Sequence, residues 1–204
     1  MIVTKIEPVT KTRFKVYVDE QFAFVLYKGE LSRYKIREEK EISQDTINEI
    51  QTEVLTKRVK LRAMHILTRM DRTEEQLRTK LKQDLYTEEL IEIAVNYVAS
   101  FGYIGDEDYT RRFISSKQNS KSKREIMMKL QQKGVSKEIV QEVFEECYDD
   151  EKELDAIRRL VEKKHFDAEN ASNQEKKRMY DYLLRKGFRY EDIRQVLQVS
   201  SWNA

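Results

Sequence analysis

The chain has 204 residues, enough for one or two domains with a real core. Charged residues make up 37% and hydrophobic residues 39%, with five Gly and one Pro, a helical and heavily solvated composition whose periodic stretches are too apolar for disorder. One Cys excludes an internal disulfide framework and points to a cytoplasmic protein, and with no 18-residue apolar run and no signal-peptide core, neither a membrane span nor secretion is implied.

Residues 1–42 read as a small β-rich subdomain. Ile2 to Ile6 alternates and stops at Pro8, Phe14 to Val18 alternates with β-branched and aromatic residues, Asp19-Glu20-Gln21 turns, and Phe22 to Leu26 returns. This predicts two or three antiparallel strands packed on a helix, with a short helix over Gly29–Tyr34. No glycine-rich phosphate loop follows a strand.

Ser43 caps the helical part, whose stripe runs Ile47, Ile50, Val54, Leu55, Val59, Ala63, Ile66 and Leu67, with a break near Thr56 that the sequence does not place. Thr73 to Gln76 is a capping box, Leu77 and Leu81 face inward, Leu85-Tyr86 turns the chain, and Thr87 caps the next helix. Together these make a linker helix and first three-helix repeat over 43–105. Asp106 opens the second repeat, 106–148, with Tyr109, Phe113 and Ile114, a loop over Lys117–Ser122, and a second capping box from Ser122 to Glu125. The third repeat, 149–204, carries Leu154, Ile157, Leu160 and Val161, a loop from His165 to Asn173, and a box from Ser172 to Glu175.

The repeats are visible in the chain itself. From Lys129 to Cys147, Gly134 suits a helix C-terminus, Ser136 an N-cap, and Ile139, Val140, Val143, Phe144 and Cys147 one helix face. Shifted back 49 positions, Leu81, Thr87, Leu90, Ile91, Ala94, Val95 and Val98 fill the same places; shifted forward 53, Leu183, Lys186-Gly187-Phe188, Ile193, Val196 and Leu197 do. A period near 50 residues predicts tandem helical units that bury their faces against neighbours.

No catalytic constellation emerges. His65 and His165 lack metal-ligand spacing, Cys147 holds the core position of Val98, and the acidic run lacks a calcium loop's spacing and central Gly. Charge is informative instead. The net charge is +2, yet Arg111, Arg112, Lys117, Lys121, Lys123, Arg124, Lys129 and Lys133 face one acid, Glu125, whereas nine acids and only Lys152 lie between Glu138 and Asp155. Further cations flank the equivalent helices of the other repeats: Arg72, Arg78, Lys80 and Lys82, then Lys176, Lys177, Arg178, Arg185 and Lys186. A stripe of this kind suits DNA or a protein filament coating it. Tyr86, Tyr109, Tyr180, Tyr182 and Tyr190 either stack on bases or pack between units.

Four motifs in order carry a resemblance. They are Arg69 with Arg72-Thr73 and Leu77; Gly102-Tyr103-Ile104 with Asp106, Tyr109 and Phe113; Leu130 with Lys133-Gly134-Val135; and Arg185-Lys186-Gly187-Phe188 with Tyr190, Asp192 and Ile193. Over residues 58–200 the sequence resembles the RecX family, bacterial regulators of the RecA recombinase, with Gln76 and Gly105 departing from its usual Glu and Asn. The resemblance implies a mainly α fold, three tandem three-helix repeats in a curved elongated array, behind the β-rich N-terminus. It also implies a non-enzymatic, cofactor-free monomer that binds in the groove of the RecA–single-stranded-DNA filament. There it restrains ATPase, strand exchange and co-protease activity, and so regulates DNA repair and the SOS response. The candidate contacts with RecA or DNA are the eight cations of the second repeat with Arg72, Arg78, Lys82, Arg185 and Lys186. From the residues alone, a stand-alone nucleic-acid-binding module and a cytosolic protein adaptor stay open.

Overall fold

The structure, a computed structural model, describes residues 1–168 and 170–197. Glu169 and residues 198–204, which the third repeat was expected to include, lie outside the described residues. The chain divides into two compact units, Met1–Gly105 and Asp106–Ala204.

In the first unit, β1 (Val3–Pro8), β2 (Arg13–Val18) and β3 (Gln21–Tyr27) form an antiparallel sheet in the order β1-β2-β3. Val18 pairs with Gln21 across a two-residue turn, and Asp19 and Glu20 both take the positive φ that such a hairpin turn requires. Val16, Val18, Phe24 and Leu26 are buried, so one face of the sheet is core. The helix α1 (Lys28–Arg33) follows β3 directly. Next come α2 (Gln44–Glu49), a π-helical stretch Ile50–Thr56, and α3 (Lys57–Leu67). The expected break near Thr56 is therefore no break. The hydrogen-bond pattern widens for two turns and then resumes, which keeps Ile50, Leu55, Val59 and Ala63 all buried. Finally α4 (Glu74–Gln83) and α5 (Glu88–Ser100) close the first three-helix repeat on the same core.

The second unit holds α6 (Asp106–Lys117), α7 (Lys123–Gln132) and α8 (Lys137–Cys147), then α9 (Asp150–Lys163), α10 (Asn173–Arg185) and α11 (Tyr190–Leu197). Each triplet has its own core: Ile114, Ile126, Leu130, Val140 and Phe144 in one, Ile157, Met179, Leu183, Phe188 and Ile193 in the other.

One turn recurs throughout. A residue at positive φ ends the helix, its amide and the next amide bond back to helix carbonyls, and the residue after it follows the bend. This occurs at Lys35, Leu85, Gly102, Gly134, His165 and Gly187. Glycine fills only half of these places; Leu85, at φ +70°, occupies the equivalent of Gly134 in the first repeat and carries a side chain where a bare Cα costs least.

Of the tyrosines offered for stacking, Tyr109 is buried, Tyr86 is packed on the first core, and Tyr180 and Tyr182 on the third. Tyr190 stays exposed, edge-on to Tyr180 at 5.1 Å.

Candidate nucleic-acid interface

The repeats begin their middle helices alike and then differ. Thr73, Ser122 and Ser172 each cap a helix by accepting the amide three residues on. After Thr73 come Glu74 and Glu75, as the positive end of a helix dipole prefers. After Ser122 come Lys123 and Arg124, which that dipole disfavours. Something other than α7's own stability accounts for them.

The compensation comes from the third triplet. Glu153 of α9 is 1% exposed, and its carboxylate accepts the Lys123 amide at 3.1 Å and the Tyr148 hydroxyl at 3.0 Å. It adds an acceptor and an acid at α7's first turn, where Glu125 is already taken up by Lys121 and Lys129. Burial pushes the Glu153 carboxyl above its ordinary range, although these two donors pull it back in part. The Lys123 ammonium lies over the rings of Phe144 and Tyr148, 5.6 and 5.1 Å from their centroids.

The turn after α10 completes the seam. The Ser122 hydroxyl donates to the Lys186 carbonyl at 2.7 Å. Gly187, at φ +86°, has no room for a side chain: an added Cβ would sit 2.9 Å from Ser122 Oγ and 3.3 Å from Arg124 Cβ. This close approach places Arg124 beside Arg185 and Lys186. With Glu125, Met128 and Leu184 they line an open groove of about 530 Å³. A second depression shares Arg124, Met128 and Gly187 and adds Lys123 and Arg189.

The candidate cations divide by what holds them. Arg78 bonds Glu74 and Glu92, each at 2.8 Å, and Lys82 bonds Glu88 at 2.7 Å. Arg111 sits among Asp108 (2.8 Å), Glu107 (3.8 Å) and Glu146 (2.8 Å), so an acid of the later acidic run neutralises it. Lys121 and Lys129 share Glu125; burial raises that carboxyl, but the two ammonium groups outweigh it and hold the group below its ordinary value. Lys133 lies over Tyr109 and Phe113. The Arg72 Nε, in the first unit, is buried with no hydrogen-bond partner among the described residues. Lys117 is half-buried at the end of α6, and Arg112 is exposed. Arg124 and Arg185 are exposed with no ion pair among the described residues, and Lys186 is exposed beside the Tyr182 ring at 5.8 Å. The seam thus gathers Arg124, Arg185 and Lys186 from two repeats.

Glu153, Arg189, Met128 and Leu184 were not singled out from the sequence. Glu153 did leave a signal: it is an acid in line with Ala156, Ile157 and Leu160 on the apolar stripe of α9. Cys147 is half-buried, and burial raises its thiol above the ordinary value, as suits a packed thiol rather than a nucleophile. Among the described residues no helix is long and apolar enough to cross a membrane. No group of three or more His, Cys, Asp or Glu that could hold a metal occurs among them either.

Tandem three-helix units, the third packed on the second through a tight glycine turn with exposed cations beside it, define a helical-repeat protein. Comparison with known proteins gives the family. Models of the first, second and third three-helix domains of RecX match residues 60–97, 106–143 and 150–197. A regulatory protein RecX of Caldanaerobacter subterraneus subsp. tengcongensis is 33% identical over 202 residues, covering 98% of this chain and all of the relative. One of Clostridium beijerinckii is 27% identical, covering 95% and 92%. A crystal structure of a regulatory protein RecX superposes with a TM-score of 0.65 at 20% identity, over 97% of this chain and 99% of the other. That of RecX from Lactobacillus salivarius gives 0.63 at 21%, over 71% and 95%. The chain belongs to the RecX family, and its fold is that of the solved RecX structures.

Proposed function

We propose that this chain is a non-enzymatic modulator of the RecA recombinase. It binds in the groove of the RecA–single-stranded-DNA filament as a cytoplasmic monomer and restrains ATPase, strand exchange and co-protease activity, and thereby DNA repair and the SOS response. The observation that carries the reading is the seam between the second and third repeats, where Arg124, Arg185 and Lys186 stand exposed in one groove. Most of the other candidate cations serve internal ion pairs and ring contacts, so the phosphate or acidic-surface contact falls to these three. Its family relatives, named regulatory proteins, support the role.

The test is RecA ATPase on single-stranded DNA with the protein titrated in. The rate falls as the protein is added, and no change at saturation sinks the reading. Replacing Arg124, Arg185 and Lys186 together by Ala weakens the effect at least ten-fold. Replacing Arg78 and Lys82, both already paired, leaves it within about two-fold.

A further inference from the structure

The turn that ends α5 uses its aromatic residues unlike the equivalent turns. The Gly102 amide bonds the Ala99 carbonyl at 2.8 Å and the Tyr103 amide bonds the Val98 carbonyl at 3.0 Å, with Gly102 at φ +68°. That geometry normally folds the last residue of the turn back onto its own helix. At the five sister turns it does: Ile36, Val135 and Phe188 are buried, and Tyr86 and Phe166 pack against their cores. Tyr103 is 55% exposed and joins no core.

Phe101, the residue before Gly102, is 58% exposed. These are the two most exposed aromatic rings among the described residues. Their planes lie within 20° of each other, with centroids 5.8 Å apart. Tyr97, one turn earlier on α5 and half-buried, meets Phe101 edge to face at 5.1 Å, and the Lys60 ammonium lies 4.8 Å from the Tyr97 centroid. The backbone hydrogen bonds fix the turn that carries both residues, and the rings rest on each other and on Tyr97. Leaving two large apolar rings in water does nothing for the fold.

We propose that Phe101 and Tyr103, backed by Tyr97 and Lys60, are a base-stacking platform for single-stranded nucleic acid. Flat, near-parallel faces accept any base, and the Lys60 ammonium over Tyr97 adds a positive charge behind them that suits a phosphate strand. A protein contact would bury the same rings for their apolar area alone, which replacement of the ring by Leu distinguishes. Of the three acids that come next in sequence, Asp106, Glu107 and Asp108, the last two bond Arg111, at 3.8 and 2.8 Å. The inference rests on the reading of a protein that works on single-stranded DNA.

The experiment measures fluorescence anisotropy of a labelled oligo-dT strand with the full chain, without RecA. Tyr103→Ala and Phe101→Ala bind roughly ten-fold or more weakly, with melting temperatures and salt slopes unchanged. Tyr103→Leu stays weak and Tyr103→Trp restores binding, because the ring and not its apolarity is required. Equal binding by wild type and both Ala variants overturns the platform. So does a Tyr103→Leu variant as tight as wild type, which marks an apolar protein contact, and so does a wild type that binds no strand at all. RecA ATPase measured alongside separates the two readings. A wild type that slows RecA while the Ala variants bind the strand normally removes the platform alone. Ring-dependent strand binding with no effect on RecA removes the regulator alone.

Discussion

Gly102 and Gly187 end helices in the same way and serve opposite ends. Both take positive φ, and both precede an aromatic residue. At Gly187 the missing side chain is what lets α7 approach, and Phe188, 3% exposed, turns into the core. At Gly102 nothing lies within 4 Å of the Cβ position, and Tyr103 turns out to solvent. One turn locks two repeats together; the other holds up a surface. A local backbone motif therefore sets a direction for the chain, while the neighbours decide what that direction is used for.

The contrast is tested first at the aromatic residues. Phe188→Ala costs about 3 to 4 kcal/mol in urea unfolding of the chain, through lost burial and the cavity left. Tyr103→Ala stays within about 0.5 kcal/mol, as an exposed ring should. A comparable loss at both would end the distinction between a structural and a presenting turn.

The joint itself is probed at Glu153. Glu153→Ala orphans the Lys123 amide and the Tyr148 hydroxyl and costs about 2 to 3 kcal/mol. Glu153→Gln keeps an acceptor and removes the titration. Because burial raises this carboxyl, the folded state favours its protonated form. That contribution is complete below the ordinary value of 4.5 and is lost as pH rises through the raised one. The Gln variant thus gains on wild type as pH climbs above 4.5, and parallel stability curves for the two would contradict a buried, raised Glu153.

Smaller effects separate the glycines. Gly187→Ala combines backbone strain with contact against Ser122 Oγ and Arg124 Cβ and costs about 2 kcal/mol. Gly102→Ala meets no atoms and costs only its φ, about 1 kcal/mol. At the third-repeat turn, His165 is exposed at φ +51°, so His165→Gly relieves strain and stabilises by up to about 1 kcal/mol in thermal melts. No gain there would mean that the imidazole makes contacts worth as much as the strain.

Much of this was legible in the chain. The caps at Thr73, Ser122 and Ser172, the apolar stripes and the strand alternation are local signals, set by hydrogen-bonding capacity and side-chain period, and each produced the expected element. Expected boxes at Thr73 and Ser172 are reciprocal; at Ser122 the box is not closed, because Glu125 turns to Lys121 and Lys129 while Ser122 donates to Lys186. The block of cations was equally plain in sequence, but which of them stay free was not. Arg111 meets Glu146 across 35 positions, and Lys133 settles over Tyr109 and Phe113.

What the sequence determined by itself is the repeat: helix lengths, caps and core faces follow from contacts within about four residues, which composition and spacing encode directly. Only the tertiary structure decided the use of the same parts. Glu153 beneath α7, Arg124 beside Lys186, and Tyr103 left in water depend on which distant backbone passes close by, and no period in the chain records that distance.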